Sequence, residues 1–278
     1  MSASTAVLVA GAVLVAACLA WGWYEAGWVR LKVLELQVPG LPPALDGLRV
    51  AHLSDFHLGP WSRGRLATER GVAWVAERKP DLVCVTGDLV SHPRGEELFR
   101  TLLRRLGRPF VVLGNHDVAL TRDPFSRAAE LEDLEAEAVL LRDEATAVER
   151  RGCTIQLVGV DARSYPRGEA RPWELVDREA ALRILLCHFP RIALRLPEGD
   201  FQLVLAGHMH AGQIVLPLPR GRLTLAHPGA RFVVGVYPAA GGVMHVSPGL
   251  GTTFVPFRFF ARPEATELVL RAAPRIES

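Results

Sequence analysis

Five short aliphatic runs in this chain each stop on an acid, an imidazole or an amide, and that repeated ending narrows the available folds more than any other feature. Residues 48–53 lead to Asp55-Phe-His57, residues 82–85 to Gly87-Asp88, and residues 110–113 to Gly114-Asn115-His116-Asp117. Residues 184–186 lead to His188, and residues 203–205 to Gly207-His208-Met209-His210. Together with residues 155–160 these runs read as buried strands. Helical patterns separate the early ones, over 66–78, 96–106 and 124–136. Strands alternating with helices predict an α/β fold, in which ligands gather beyond the carboxyl ends of the strands.

Each of these residues has a plain explanation when taken singly. An Asp after a strand caps a turn, Gly-Asn makes one, and a lone His beside an apolar run is usually a satisfied core side chain. Jointly that explanation fails, because five of the nine histidines fall at strand ends beside Asp or Asn. Turn chemistry has no reason to select imidazole. His52 and His245 read as strand residues with structural hydrogen bonds, while His92 and His227 carry no assignment. The chemistry such a set supports is a two-metal site, with divalent ions ~3.5–4 Å apart clamping the oxygens of an in-line displacement. A carboxylate is the natural bridge, and mixed His, Asp and Asn donors suit manganese, iron or zinc better than calcium or magnesium.

Residues 6–24 run without a charge and end among Trp21, Trp23, Tyr24 and Trp28. A helix of that length spans roughly 28 Å, close to the hydrocarbon thickness of a bilayer, with aromatics at the interface. One transmembrane anchor over residues 1–28 is expected. A cleaved signal peptide would need a basic start that is missing, and Val15-Ala-Ala-Cys18 gives lipidation at Cys18 as a lesser alternative. Residues 1–5 carry no Lys or Arg while Arg30 and Lys32 follow the run, so the positive-inside rule predicts a single-pass cell-membrane protein with its body in the cytoplasm. The external side is the alternative.

Residues 29–44, with Val38-Pro-Gly-Leu-Pro-Pro43, read as a stiff linker, and residues 45–273 as one catalytic domain. A net charge of +2 over 278 residues gives no electrostatic reason to expect nucleic acid. Cys84, Cys153 and Cys187 form neither a disulfide framework nor a zinc-type spacing. Arg163 to Arg171 holds three arginines that could grip a phosphate, but in a chain with thirty arginines a solvated loop is the simpler reading.

The order Asp-x-His, Gly-Asp, Gly-Asn-His-Asp, His, Gly-His-x-His, spanning Asp55 to His210, resembles the calcineurin-like metallophosphoesterases. Ala206-Gly-His-Met-His-Ala-Gly-Gln-Ile-Val-Leu-Pro217, Val246-Ser-Pro-Gly-Leu-Gly251 and Pro263-Glu264 are similar to the membrane-associated bacterial branch of YkuE-like and YaeI-like phosphoesterases. The resemblance implies a four-layer α/β/β/α sandwich and two divalent ions, manganese foremost. It implies that one ion takes Asp55, His57 and His210 and the other Asn115, His188 and His208, with Asp88 bridging. His116 would face the phosphoryl group as the catalytic residue without binding metal, and Asp117 would either orient His116 or cap the following turn. Ala211, Ala162 and Phe189 depart from the branch pattern without removing a ligand.

The function implied is metal-dependent hydrolysis of a phosphodiester or pyrophosphate, on a lipid-linked phosphate such as a UDP-diacylglucosamine. An externally facing diesterase of envelope polymers is a second reading, and a catalytically silent metal-binding scaffold a third.

Overall fold

The computed structural model describes residues 2–127, 129, 131, 133–219 and 221–272. Helix α1 (Ala3–Ala26) starts where the Ser2 side chain accepts the Thr5 N–H, and it stays exposed over most of its length. It is long and apolar enough to cross a membrane. Only its last turns meet the body, where Gly22, Glu25 and Ala26 are buried.

Two six-stranded sheets form the body. The first has the order β1 (Arg30–Val38), β14 (Glu264–Ala272), β2 (Arg49–Leu53), β3 (Leu82–Thr86), β4 (Phe110–Val112) and β5 (Val139–Leu140). The second has the order β12 (Gly235–Ala239), β13 (Gly242–Val246), β9 (Leu203–Ala206), β8 (Leu182–Leu186), β7 (Cys153–Gly159) and β6 (Glu144–Arg150). A separate ribbon pairs β10 (Val215–Leu218) with β11 (Gly221–Thr224). Between the sheets lies a core to which Val50, Leu82 and Cys84 contribute from one side and Ile184, Leu186 and Leu205 from the other. Burial pushes the Cys84 thiol well above its ordinary range, as expected of a core residue without a catalytic role.

The outer face of the first sheet is covered by α2 (Gly64–Arg78) and α3 (Glu96–Leu106). In α3, Phe99, Leu102, Leu103 and Leu106 recur on one face and are buried, each worth roughly 1.5–3 kcal/mol of transfer free energy. Glu96 and Glu97 open this helix and Arg104 and Arg105 close it, matching its dipole, before Gly107 stops it at φ 71°. The fourth layer is thin. It consists of the four-residue α4 (Ser164–Arg167) and short turns at Pro172–Leu175 and Pro190–Leu194, packed on Val158, Leu185 and Val204.

Two expectations are corrected. The supposed linker 29–44 contains β1, paired in parallel with β14 along nine residues, and Leu34, Leu36 and Val38 point inward in strand alternation. The body therefore begins at Arg30 and not at 45, only the short stretch after Val38 connects β1 to β2, and the expected last residue, 273, lies outside the described residues. The helix expected over 124–136 is absent among the described residues of that stretch; 128, 130 and 132 lie outside them. Instead the Asp123 carboxylate accepts the Phe125 N–H in an Asx turn and the Arg127 N–H goes to the Ser91 carbonyl. Leu131 and Leu134 bury themselves against the α2 and α3 layer, and a single turn follows in which the Ala138 N–H donates to Leu134 O at 2.8 Å.

Candidate metal centre

Strands β2, β3 and β4 run parallel in one sheet and β8 and β9 in the other, so their carboxyl ends meet at one edge of the sandwich. The loops leaving them turn abruptly. Asp55, His57, Asp88, His208 and His210 all take positive φ, between 46° and 73°, a conformation that costs a non-glycine residue ~1–3 kcal/mol and is held by its surroundings. Part of that hold is close approach: a Cβ at Gly114 would strike the Asp88 carboxylate, and one at Gly207 would strike Ser54. The backbone adds more, with the Asp55 N–H donated to Gly87 O and the His57 N–H to Asp88 O, each at 2.9 Å.

The side chains converge in two groups that share one member. Asp55, His57, Asp88 and His210 each offer a donor atom within 4.8 Å of the others, and so do Asp88, His188 and His208. Asp88 Oδ2 lies 3.5 Å from His57 Nε2 and 3.2 Å from His188 Nε2, between the groups. His57 Nε2 faces His210 Nε2 at 3.0 Å, and His188 Nε2 faces His208 Nδ1 at 3.1 Å. Asn115 Oδ1 is buried without a hydrogen-bond partner. An orphaned amide oxygen in the turn whose Gly114 and His116 pack on Asp88, together with facing imidazoles and a shared carboxylate, fits a pair of cations, since lone pairs that would otherwise repel converge where positive charge is needed.

Outer contacts aim these donors. His188 Nδ1–H donates to the Thr86 carbonyl at 2.8 Å, leaving its Nε2 lone pair for the centre. His57 Nδ1 meets Ser91 Oγ at 2.7 Å, and the His208 N–H donates to Asp55 Oδ1 at 3.0 Å. The charges follow burial and proximity. Burial holds His57 and His210 well below the ordinary histidine range and takes His208 down to about 3. Burial opposes the Asp88 charge, but His188 and His57 outweigh it and keep the carboxyl ionised. Burial likewise opposes charge on His188, which Asp88, Asp55 and the Thr86 carbonyl reverse, lifting it to about 9. Burial pushes Asp55 up to about 6.

Of the eight residues expected at the site, six fall in these two groups, Asn115 follows Gly114, which packs on the Asp88 carboxylate, and the eighth is His116. Its N–H donates to Asp88 Oδ1 at 2.8 Å, and its ring lies edge-on to His57 with centroids 4.5 Å apart. Its Nε2 sits 3.1 Å from Thr121 Oγ1 and 3.3 Å from Thr253 Oγ1. Asp117 does neither task expected of it. Its two oxygens accept the N–H groups of Gly114, Leu89 and Val90, tying the loop after β4 to the loop after β3. His52 and His245 bond each other in the core at 2.8 Å, as expected of structural histidines. His227 stands 5.9 Å from the His208 ring, and Phe189 stacks on Tyr165 at 4.5 Å.

No sequence signal marked Arg258, the largest fully buried side chain among the described residues. Its guanidinium donates to the carbonyls of Gly251, Pro248, Ala261 and His210, and Nη2 lies 3.3 Å from His210 Nδ1. Burial draws its pKa down to about 10, so it remains a cation at neutral pH. Each carbonyl left without its donor costs ~1–3 kcal/mol, so Arg258→Met is expected to destabilise the fold by ~3 kcal/mol or more, read as a lower thermal midpoint in detergent. Because His210 also loses its support, metal affinity is expected to fall ~10–100-fold in the same variant.

Comparison with known proteins follows the geometry. Residues 48–212 match the family described as calcineurin-like phosphoesterase. A Danio rerio protein named transmembrane protein with metallophosphoesterase domain is 36% identical over 267 residues, covering 87% of this chain and 58% of its own length. The chain thus spans little more than half of that relative. The uncharacterized metallophosphoesterase YkuE of Bacillus subtilis is 30% identical over 243 residues, 84% of this chain and 82% of that one. Phosphodiesterase YaeI of Escherichia coli is 24% identical over 254 residues, covering 90% and 89% of the two chains. With the family pattern matched over more than half of its residues, the chain belongs to the calcineurin-like phosphoesterases.

Proposed function

We propose that the chain is a membrane-anchored, metal-dependent hydrolase of phosphodiester or pyrophosphate bonds. The observation that carries this reading is the sharing of Asp88 between two donor groups, which is the arrangement a bridged pair of cations requires. Asp55, His57 and His210 would hold one ion, Asn115, His188 and His208 the other, and Asp88 both. Divalent ions there, manganese first among them, supply an activated water and neutralise charge on the phosphoryl oxygens. The protein's own contribution is placement: Thr86 and Ser91 fix the imidazoles, and the Asp88 carboxylate pins the His116 backbone so that its ring points at the same cleft. His116, which is lowered by burial against the pull of Asp88 and Asp123, would stabilise the phosphoryl charge or deliver a proton to the leaving oxygen.

A lipid-linked phosphate of the UDP-diacylglucosamine type suits a site tethered beside a bilayer, and the cytoplasmic side suits the charges around the helix end. Arg63 lies over Tyr24 and Arg262 over Trp28, adding to Arg30 and Lys32 at that end of α1. Purified protein should hydrolyse bis-p-nitrophenyl phosphate with added Mn²⁺, lose the activity in EDTA and regain it on metal return. Failure on several phosphoesters with metal demonstrably bound would leave the scaffold reading. A topology reporter fused after Ser278 decides sidedness, and an external signal would remove the nucleotide-lipid substrate.

A further inference from the structure

The uncharged stretch of α1 includes Gly22 and Trp23, and both are in contact with the body. The Phe259 ring lies against Gly22 so closely that a Cβ there would strike it, and the Arg258 N–H donates to the Gly22 carbonyl at 3.0 Å. Trp61 stacks on Trp23 with ring centroids 4.2 Å apart, and Phe257 lies edge-on to Trp23 at 6.4 Å. The Ala261 N–H is held by the buried Glu25 at 2.8 Å. Groups that touch positions 22 and 23 of a helix share the depth of those positions, whatever the tilt of the helix.

The same seat carries a further apolar surface. Trp61 is 82% exposed. The β10–β11 ribbon is fastened to Phe259, the residue packed on Gly22, by the Val215 N–H to Phe259 O at 2.9 Å, and its directly paired Leu216 and Leu223 are both exposed, as is Phe260. An isolated two-stranded ribbon with leucines facing outward lacks the sheet or helix that would normally cover it. A cavity of about 350 Å³ is lined by His210 of the metal centre together with Gln213, Leu225, Phe254 and Val255. Cations surround the patch at the level where headgroups would lie: Arg63 over Tyr24, Arg262 over Trp28, and Arg222 donating to Phe260 O at 2.6 Å.

We infer that Trp61, the β10–β11 ribbon and residues 252–261 form an apolar collar that enters the headgroup region of the leaflet in which α1 ends, so that the metal cleft opens against the bilayer. The inference rests on the reading of α1 as a membrane-crossing anchor and deepens the substrate reading: the leaving or entering group would reach His210 along the apolar cavity from the lipid side. Interfacial apolar surfaces of this kind sit roughly 5–10 Å into the headgroup and acyl boundary, with Trp and Arg at its outer edge.

Depth-dependent quenching of the full chain tests it. In nanodiscs of phosphatidylcholine and phosphatidylglycerol, a bimane label is placed on Cys18 itself, or on Trp61→Cys, Leu216→Cys or Ala147→Cys in a chain whose Cys18 and Cys153 are replaced by Ala. Labels at 61 and 216 are expected to lose emission to a nitroxide near the lipid headgroup, the Cys18 label to one deep in the acyl chains, and the label at 147, on the exposed edge strand β6, to neither. Quenching at Cys18 with none at 61 and 216 would overturn the collar while leaving the anchor intact. No quenching at any of the four sites would remove the anchor and the collar together. Loss of the signals at 61 and 216 through pairing of two copies, with no response to lipid nitroxide, would overturn it in favour of a dimer face.

Discussion

Asp88→Asn is expected to abolish metal-dependent hydrolysis and to empty both halves of the centre together. The Asp88 oxygen stands 3.5 Å from His57 Nε2 and 3.2 Å from His188 Nε2, so its charge serves two coordination spheres. A neutral amide keeps the size and can still accept the His116 N–H, but it offers one oxygen without the negative charge that holds two cations. The loss should exceed the ~10–100-fold that outer-contact changes cause in metal affinity. The metal-free thermal midpoint of the variant should also fall, because His188 loses its buried carboxylate partner, so metal content and turnover are compared on protein shown to be folded by circular dichroism. Metal analysis beside turnover is the measurement. Two ions per chain at near-normal turnover would move the bridge to another residue.

His116→Ala should act on turnover alone. The ring lies beside His57 without belonging to either donor group, so metal content should stay at the wild-type level while kcat falls ~10²–10⁴-fold, the range of general acid–base or charge-stabilising groups. Ester choice separates the two roles. A nitrophenolate leaves without a proton, so an acid's absence is felt less on nitrophenyl than on alkyl esters, whereas equal losses on both would mean stabilisation of phosphoryl charge. Departure of one ion from the variant would sink the assignment.

Much of this centre is legible in the chain because strand ends are marked twice, by the stop of an aliphatic run and by the donor that follows it. The same double marking found α3 at Glu96–Leu106, where an apolar face and matched terminal charges coincide. Strand β1 escaped because the prolines after Val38 resemble a linker and its partner lies far along the chain; the alternation of Leu34, Leu36 and Val38 was its only local trace. The stretch 124–136 misled in the opposite sense, since its helix-like apolar spacing yields to the Asx turn at Asp123 and to a third partner, Thr253, whose hydroxyl donates to Asp123 at 3.0 Å. Arg258 and Asp117 are silent in sequence for a common reason. Both act on backbone carbonyls or N–H groups, which every residue possesses, so no neighbouring side chain announces them.

The position of β14 bears on how such a chain is made. This last strand lies between β1 and β2, parallel to one and antiparallel to the other. Arg30 therefore waits across 234 positions for Glu264, its partner in the first sheet. During synthesis β1 leaves the ribosome directly after α1 and long before β14, with an unpaired edge and inward-facing leucines that invite association with other chains. Closing a sheet over so long a separation is slow, and it cannot begin until residues 264–272 have emerged. A nascent chain stalled short of residue 264 would still expose β1, which makes the emergence of β14 the step that commits the first sheet to its native order.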